Sequence, residues 1–244
     1  LPGVRVGYGW NLGAPPAPLR GLLTDHLATT DHLFDPACRG ARATLLVVAF
    51  AAQGPGMQQW VAPCSAVRAA GIAADALYLA DPSCSYYMQA PALDWEGLAY
   101  YDGLIRAIAA PYDCVLMIGS SMGGTAALMH ARHAHRVLAF GPKVDVARAH
   151  GAYLPEVAQR ECRDGMLRAL GDSSTSPMRT TAAVHIGSGN LEDVLQADKL
   201  RGTASVEVVE HDTFHHNVPM HLEREGLLVP LIKREASLLL GRGL

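Results

Sequence analysis

Short apolar runs alternate with segments of helical periodicity along most of this chain. The strongest run is ATLLVVAFAA from Ala43, and the turn residues Gln53, Gly54 and Pro55 follow it. A continuous apolar run predicts a strand buried on both faces, because such a strand has no solvent-facing side for alternating polar residues. The alternation with helices predicts an α/β fold with a mostly parallel central sheet and helices on both faces.

The same pattern continues toward the carboxyl end. Further strands are predicted over ADALYLAD (74–81), CVLMIGSS (114–121), RVLAFGP (136–142), AAVHIGSG (182–189) and ASVEVVEHD (204–212). Helices are predicted over 93–110, 125–134, 191–200 and 218–240. Residues 143–181 break the alternation, so we interpret them as a small lid or excursion within a single domain, 1–244. The first forty or so residues, rich in Gly, Pro and Ala, form no readable pattern.

Composition and charge exclude several classes of protein. Half of the 244 residues are hydrophobic and 18% are charged, which is typical of a globular chain and not of a disordered one. The net charge of −3 argues against a nucleic-acid partner. No apolar run approaches the roughly 20 residues of a membrane helix, so no membrane partner is expected.

The cysteines indicate the compartment. There are five, and their odd number and wide separation fit neither a disulfide framework nor a zinc site. Free thiols are typical of a reducing environment, so the sequence predicts a cytoplasmic protein. The residues concerned are Cys38, Cys64, Cys84, Cys114 and Cys162.

The stretch GSSMG, residues 119–123, matches the pattern GxSxG. The frame selects Ser121, because Ile118 stands where Ser120 would need a glycine. The motif follows a predicted strand and opens a predicted helix, which is the context of a nucleophile elbow. In an elbow a sharp turn lifts the hydroxyl out of the backbone, and glycines avoid Cβ clashes. An ordinary small-residue turn is the alternative, and the context favours the elbow.

On this motif and the order of its elements, the chain resembles the α/β-hydrolase superfamily over about residues 43–240. Members carry the nucleophile after one strand, an acid after a later strand and a histidine after the last strand. The resemblance therefore implies that Ser121 is a nucleophile with a base and an acid further along. A serine hydroxyl needs such a base at neutral pH, and the base needs a partner that holds its tautomer.

The segment VEVVEHDTFHHNVPMHL, 206–222, contains the candidates for the base. His211 is expected at the end of the last strand and His221 within the following helix. His215 and His216 lie in the loop between them, where a histidine can reach over the sheet edge. The resemblance favours His216, because the family's histidine precedes a helix whose apolar face begins at the next Val. His215 and a merely solvated loop histidine are the alternatives.

The acid departs from the family pattern. The resemblance implies a carboxylate two or three residues past the strand glycine, where this chain has Gly189 and Asn190. Glu192 and Asp193 follow, and Asp193 is preferred because Asp dominates this role in the superfamily. The alternative interpretation is that these carboxylates complement a helix dipole, with Asn190 as the N-cap. That interpretation is compatible with catalysis.

An oxyanion hole requires two N–H groups directed at the developing negative charge. Met122, just after the nucleophile, is expected to provide one. Ala51 or Ala52, in the loop after the first strong strand, is expected to provide the other. The absence of an HGGG motif disfavours the lipase subtype.

Asp81 and Tyr87 are candidate substrate-binding residues, since they follow the carboxyl end of another strand, where ligands bind in open α/β sheets. Packing beneath a neighbouring helix is the alternative for the tyrosine, and we favour it because it is the more common role of such aromatics.

These observations predict a serine hydrolase that cleaves a carboxylic ester or thioester through a covalent acyl-enzyme. No cofactor and no metal is implied, and the expected partner is a small-molecule or carrier-bound acyl substrate. An acyltransferase using the same intermediate is the nearest alternative. A catalytically silent binding protein, or a lyase or cofactor-free oxygenase, could also use this fold.

Overall fold

The protein forms a seven-stranded sheet with the strand order β1-β3-β2-β4-β5-β6-β7. The computed structural model describes residues 32–37, 43–53, 58–81, 85–88, 98–146, 156–171 and 180–241. Neighbouring strands are parallel, except that β1 runs antiparallel to β3. The mostly parallel α/β architecture expected from the sequence is therefore confirmed. The strands are β1 (His32–Asp35), β2 (Leu45–Phe50), β3 (Ala74–Leu79), β4 (Cys114–Ser120), β5 (Arg136–Phe140), β6 (Thr181–Gly187) and β7 (Val206–His211).

Helices cover both faces of this sheet. They are α1 (Gln58–Ala69), α2 (Ala99–Ala109), α3 (Met122–Met129), α4 (Glu156–Gly171), α5 (Leu191–Ala197), α6 (Val218–Arg224) and α7 (Leu228–Leu239). Two separate apolar cores result. Side chains from α2, α3, α4 and α5 build one core, and side chains from α1, α6 and α7 build the other.

The burial of each strand agrees with its sequence pattern. Every residue of β2 and β3 is buried, as their continuous apolar runs predict. β7 lies at the edge of the sheet, and its two glutamates, Glu207 and Glu210, are exposed. The strand β1 was not predicted, because its four residues are too few to establish a period.

The helices predicted from the sequence need two corrections. The helix α1 was missed altogether. The predicted helix 218–240 is in fact two helices, which separate at Gly226. This glycine has φ +70°, a left-handed conformation that ends a helix and that a residue with a side chain rarely adopts. The start of the helix predicted over 93–110 lies outside the described residues, and α2 begins at Ala99.

The segment predicted to be a lid is described in part. Its helix α4 packs against α3, and Cys162, Met166 and Leu170 of α4 join the same core as Met129. Residues 147–155 and 172–179 lie outside the described part of the chain. A lid function, and the treatment of 1–244 as one domain, stay predictions.

Among the described helices, none combines the length and the apolar character needed to cross a bilayer.

Candidate active site

Three residues from different strand ends meet at one edge of the sheet. Ser121 follows β4, Asp193 lies in the first turn of the helix after β6, and His216 lies in the loop after β7. Because β4, β6 and β7 run in the same direction, their carboxyl ends lie at the same edge. Residues far apart in sequence therefore become neighbours.

Ser121 occupies a strained backbone conformation between β4 and α3. Its dihedral angles are φ 53° and ψ −119°, in a region that residues with a Cβ rarely adopt. Hydrogen bonds hold this turn: the Ser121 N–H donates to Phe140 O at 2.8 Å, and the Thr125 N–H donates to Ser121 O at 3.0 Å. The geometry is that of the elbow predicted from GSSMG.

The glycines of the motif are required by close backbone contacts. A Cβ on Gly119 would lie 2.1 Å from Gly123 O, and a Cβ on Gly123 would lie 2.4 Å from Ala51 O. Real Cβ atoms do not approach backbone atoms so closely. The start of α3 is therefore pressed against the ends of β2 and β4, and this packing holds Ser121 at the edge of the sheet.

A continuous hydrogen-bonded relay joins the three residues. The Ser121 Oγ lies 2.9 Å from His216 Nε2. On the other side of the ring, His216 Nδ1 lies 2.8 Å from Asp193 Oδ1 and 2.9 Å from Oδ2. A carboxylate only accepts, so Nδ1 carries the proton and Nε2 is left to accept from the serine hydroxyl. The arrangement can remove a proton from Ser121.

The other late histidines occupy different positions. His215 is exposed, and its N–H donates to Thr213 Oγ1 at 3.2 Å. His211 ends β7, where its Nε2 lies 3.0 Å from His185 Nδ1. His221 lies within α6, as expected. His216, the preferred candidate, is the histidine hydrogen-bonded to Ser121.

The position of the acid is explained by the turn between β6 and α5. The Ser188 N–H donates to His211 O at 2.8 Å and the Gly189 N–H donates to Thr213 O at 3.1 Å, so this turn is bonded to the segment that leads to His216. Asn190 then caps α5 as predicted, accepting from the Asp193 N–H at 3.2 Å. The first turn of α5 therefore brings Asp193 beside the imidazole.

The two predicted oxyanion donors near β2 differ in their backbone bonds. The Ala51 N–H donates to Leu79 O at 2.9 Å, so it is occupied within the sheet, and the prediction of Ala51 as a donor is wrong. Ala52 is the remaining candidate of that pair. Met122 is the first residue of α3, where a backbone N–H has no acceptor within the helix. Its predicted role is compatible with this position.

Comparison with known proteins shows the fold. No protein-family model matches the chain, and no curated protein matches it in sequence. The S-formylglutathione hydrolase of Agrobacterium tumefaciens matches in structure, with a TM-score of 0.58 and 14% identity over 85% of this chain and 88% of that one. This chain has the α/β-hydrolase fold.

Two further solved structures with this fold are similar. The capsule O-acetyltransferase of Neisseria meningitidis serogroup A matches with a TM-score of 0.53 at 12% identity, over 84% of this chain and 90% of that one. A siderophore hydrolase of Aspergillus nidulans matches with a TM-score of 0.51 at 12% identity, over 85% and 95%. At these identities the likeness is one of fold.

Asp81 and Tyr87 have a structural role within this α/β-hydrolase fold. The Tyr87 side chain is fully buried, and its hydroxyl lies 3.1 Å from both Ala51 O and Leu79 O. Asp81 is also buried and accepts from the Tyr87 N–H at 2.8 Å. Neither side chain is open to a substrate, so their prediction as substrate-binding residues is wrong. They support the loop that carries Ala51 and Ala52.

Sequence reasoning missed Lys143, whose amine lies against the Asp193 carboxylate. Lys143 Nζ is 3.2 Å from Asp193 Oδ1 and 2.9 Å from Glu192 Oε1. One signal was present in the sequence: Lys143 closely follows the carboxyl end of β5, at the edge where an α/β-hydrolase fold places its functional residues.

Among the described residues, no group of three or more His, Cys, Asp or Glu side chains is arranged to hold a metal ion.

Proposed function

We propose that this protein is a serine hydrolase that cleaves a carboxylic ester or thioester through a covalent acyl-enzyme. The relay from Ser121 through His216 to the buried Asp193 carries the proposal, since each step is a hydrogen bond of 2.8 to 2.9 Å. The strained elbow at Ser121 supports it further. Such strain is concentrated at functional sites, because it persists only where the surrounding structure holds it in place.

The reaction follows from the roles that these atoms can take. The Ser121 Oγ attacks the acyl carbon while His216 Nε2 takes its proton, and Asp193 stabilises the imidazolium that forms. The bond to the leaving oxygen or sulfur breaks, and His216 returns the proton to that leaving group. Water then attacks the acyl-enzyme with His216 again as the base, which releases the carboxylic acid and restores Ser121. The N–H groups of Met122 and Ala52 are proposed to bind the oxyanion.

Acyl transfer to another acceptor is a second candidate. It shares every step up to the acyl-enzyme and differs only in which nucleophile resolves that intermediate. The capsule O-acetyltransferase, which has the same fold, supports acyl transfer as this second candidate.

A fluorophosphonate activity probe tests the nucleophile. The wild-type protein and the Ser120→Ala variant should be labelled, whereas Ser121→Ala should not. Ser120 is the matched control, because it is the adjacent serine and is buried in β4. No labelling of the folded wild-type protein would contradict the proposal and favour a catalytically silent binding protein.

A panel of p-nitrophenyl esters and acyl thioesters tests the reaction, with intact-mass detection of an acyl adduct. His216→Ala should lower kcat by about 10⁴- to 10⁶-fold, since residues of such a triad act as a unit. His215→Ala should retain activity, since that side chain is exposed. An adduct that water resolves slowly, and that an added alcohol or thiol resolves rapidly, would indicate acyl transfer.

A further inference from the structure

A buried cation lies against the acid of the proposed triad. The Lys143 side chain is 9% exposed and that of Asp193 is fully buried, and the two meet through Nζ and Oδ1 at 3.2 Å. The same amine contacts Glu192, whose side chain is 55% exposed, at 2.9 Å. Burying a carboxylate is costly unless it is paired and hydrogen-bonded. Lys143 and the N–H of His216 Nδ1 together provide that pairing for Asp193.

The backbone of Lys143 is bound to the helix that follows the nucleophile. The Lys143 N–H donates to Thr125 Oγ1 at 2.8 Å, and the Thr125 hydroxyl donates to Lys143 O at 2.9 Å. The Thr125 N–H donates to Ser121 O at 3.0 Å. Thr125 is fully buried, so these bonds are shielded from water.

The next two residues are bound to the helix that carries the acid. The N–H groups of Val144 and Asp145 donate to Gln196 Oε1 at 2.9 and 2.7 Å, and Gln196 is buried in α5. At the surface, Asp145 also pairs with Lys199 at 3.0 Å, but an exposed pair of this kind contributes little to holding the segment. The short segment 143–145 is therefore bonded both to α3 and to α5, which places the Lys143 amine at a defined position.

We propose that Lys143 is a positioning residue for the reaction: its ammonium holds the Asp193 carboxylate in place and directed at His216 Nδ1. The inference rests on the proposed serine hydrolase function and deepens it. Within the described part of the chain, the charged and titratable groups that contact Asp193 or its neighbouring ammonium are His216 from the loop after β7, Lys143 from the end of β5 and Glu192 from α5. Without the ammonium, the dyad of Asp193 and His216 binds a proton more readily, because an adjacent positive charge no longer opposes it.

The first test compares Lys143→Met with Lys199→Met. Both remove an amine that pairs with a carboxylate, but Lys199 contacts Asp145 and lies outside the site. In Lys143→Met we expect kcat to fall by about 10- to 100-fold and KM to stay nearly unchanged. A fall of this size is typical of residues that hold a functional group in position without contacting the substrate. The acid limb of the profile of kcat/KM against pH should move to higher pH. Lys199→Met should leave kcat, KM and the acid limb at their wild-type values.

A double-mutant cycle tests whether Lys143 acts through Asp193. In the Asp193→Asn background, Lys143→Met should have little further effect on kcat, because the carboxylate that it holds is already gone. An undiminished fall in that background would overturn the inference. Thermal unfolding of each variant establishes that the protein assayed is folded.

Lys143→Arg provides a second variant in case the methionine variant does not fold. It keeps the positive charge, so its acid limb should coincide with that of the wild type even if kcat falls. An arginine variant whose acid limb moves to higher pH would overturn the inference, as would a folded Lys143→Met with wild-type kcat and acid limb. Failure of the proposed function is distinct, since the wild-type protein would then show neither labelling nor turnover.

Discussion

At the scale of residues, the contacts of the Asp193 side chain determine how the His216 ring is held. Its carboxylate is fully buried, and it contacts an imidazole and an ammonium that come from two other parts of the chain. An amide at this position could donate as well as accept, so it would no longer hold the His216 proton on Nδ1.

We therefore expect Asp193→Asn to lower kcat by about 10⁴-fold, since the imidazole would be held in the wrong tautomer. Steady-state hydrolysis of the best ester or thioester measures this. Asp198→Asn is the matched control: Asp198 caps the other end of α5 and pairs at the surface with Arg201, so activity should be retained. Equal activity of Asp193→Asn and the wild type would exclude Asp193 as the acid.

At the scale of elements, the position of α3 against β2 decides where Ser121 lies. This contact tolerates no side chain at Gly123, because a Cβ there would meet Ala51 O at 2.4 Å and Phe50 O at 2.5 Å. Gly103 is a useful comparison, since it also lies within a helix, α2, and a Cβ there would meet nothing within 4 Å.

We expect Gly123→Ala to lower the free energy of unfolding by about 1 to 3 kcal/mol, as overpacking does, and to lower activity because the elbow moves. Gly103→Ala should instead raise the free energy of unfolding by about 0.5 to 1 kcal/mol, because alanine loses less backbone entropy in a helix. Urea unfolding of both variants measures the difference. Similar shifts in the same direction would contradict the close contact of α3 with β2.

At the scale of the whole molecule, buried histidines tie the stability of the fold to pH. Burial, and then the neighbouring His211, lowers the pKa of His185 to about 3. Burial also lowers the pKa of His130 and of His211. Between pH 3 and the ordinary histidine value near 6.5, the unfolded chain therefore binds more protons than the folded one. The stability that comes from keeping these histidines uncharged is fully present above about pH 6.5 and is lost as the pH falls toward 3.

We expect the free energy of unfolding to fall between pH 7 and pH 4, with a slope of up to about 1.4 kcal/mol per pH unit for each extra proton bound on unfolding. His185→Phe should make this slope shallower, because it removes one of these protons while keeping the ring stacked 4.8 Å from Phe140. Urea unfolding at several pH values measures both slopes. If His185→Phe shows a slope as steep as that of the wild type, His185 does not contribute to the pH dependence of stability.

Local features of the site were predictable, and features that depend on loop geometry were not. Ser121 was found because GxSxG between a strand and a helix is contained in five consecutive residues. His216 and Asp193 needed the order of elements known from a family that the chain resembles, and the structure places His216 beside Ser121 and Asp193 beside His216. Ala51 was assigned wrongly, because residue type does not show in which direction a backbone N–H points. Tyr87 was a substrate-binding candidate for which packing beneath a helix was the favoured alternative, and its full burial against Tyr101 of α2 agrees with that alternative.

The amino-acid sequence by itself determined the α/β architecture and the turn that carries Ser121. Both follow from periodicity and from residue size over a few neighbouring positions, which are local properties. Only the tertiary structure decided that Lys143 lies against Asp193 and that Ala51 is bonded within the sheet. These contacts join residues 50 and 28 positions apart, respectively, in the chain. They depend on how parallel strand ends and their loops converge at one edge, and no short stretch of sequence contains that information.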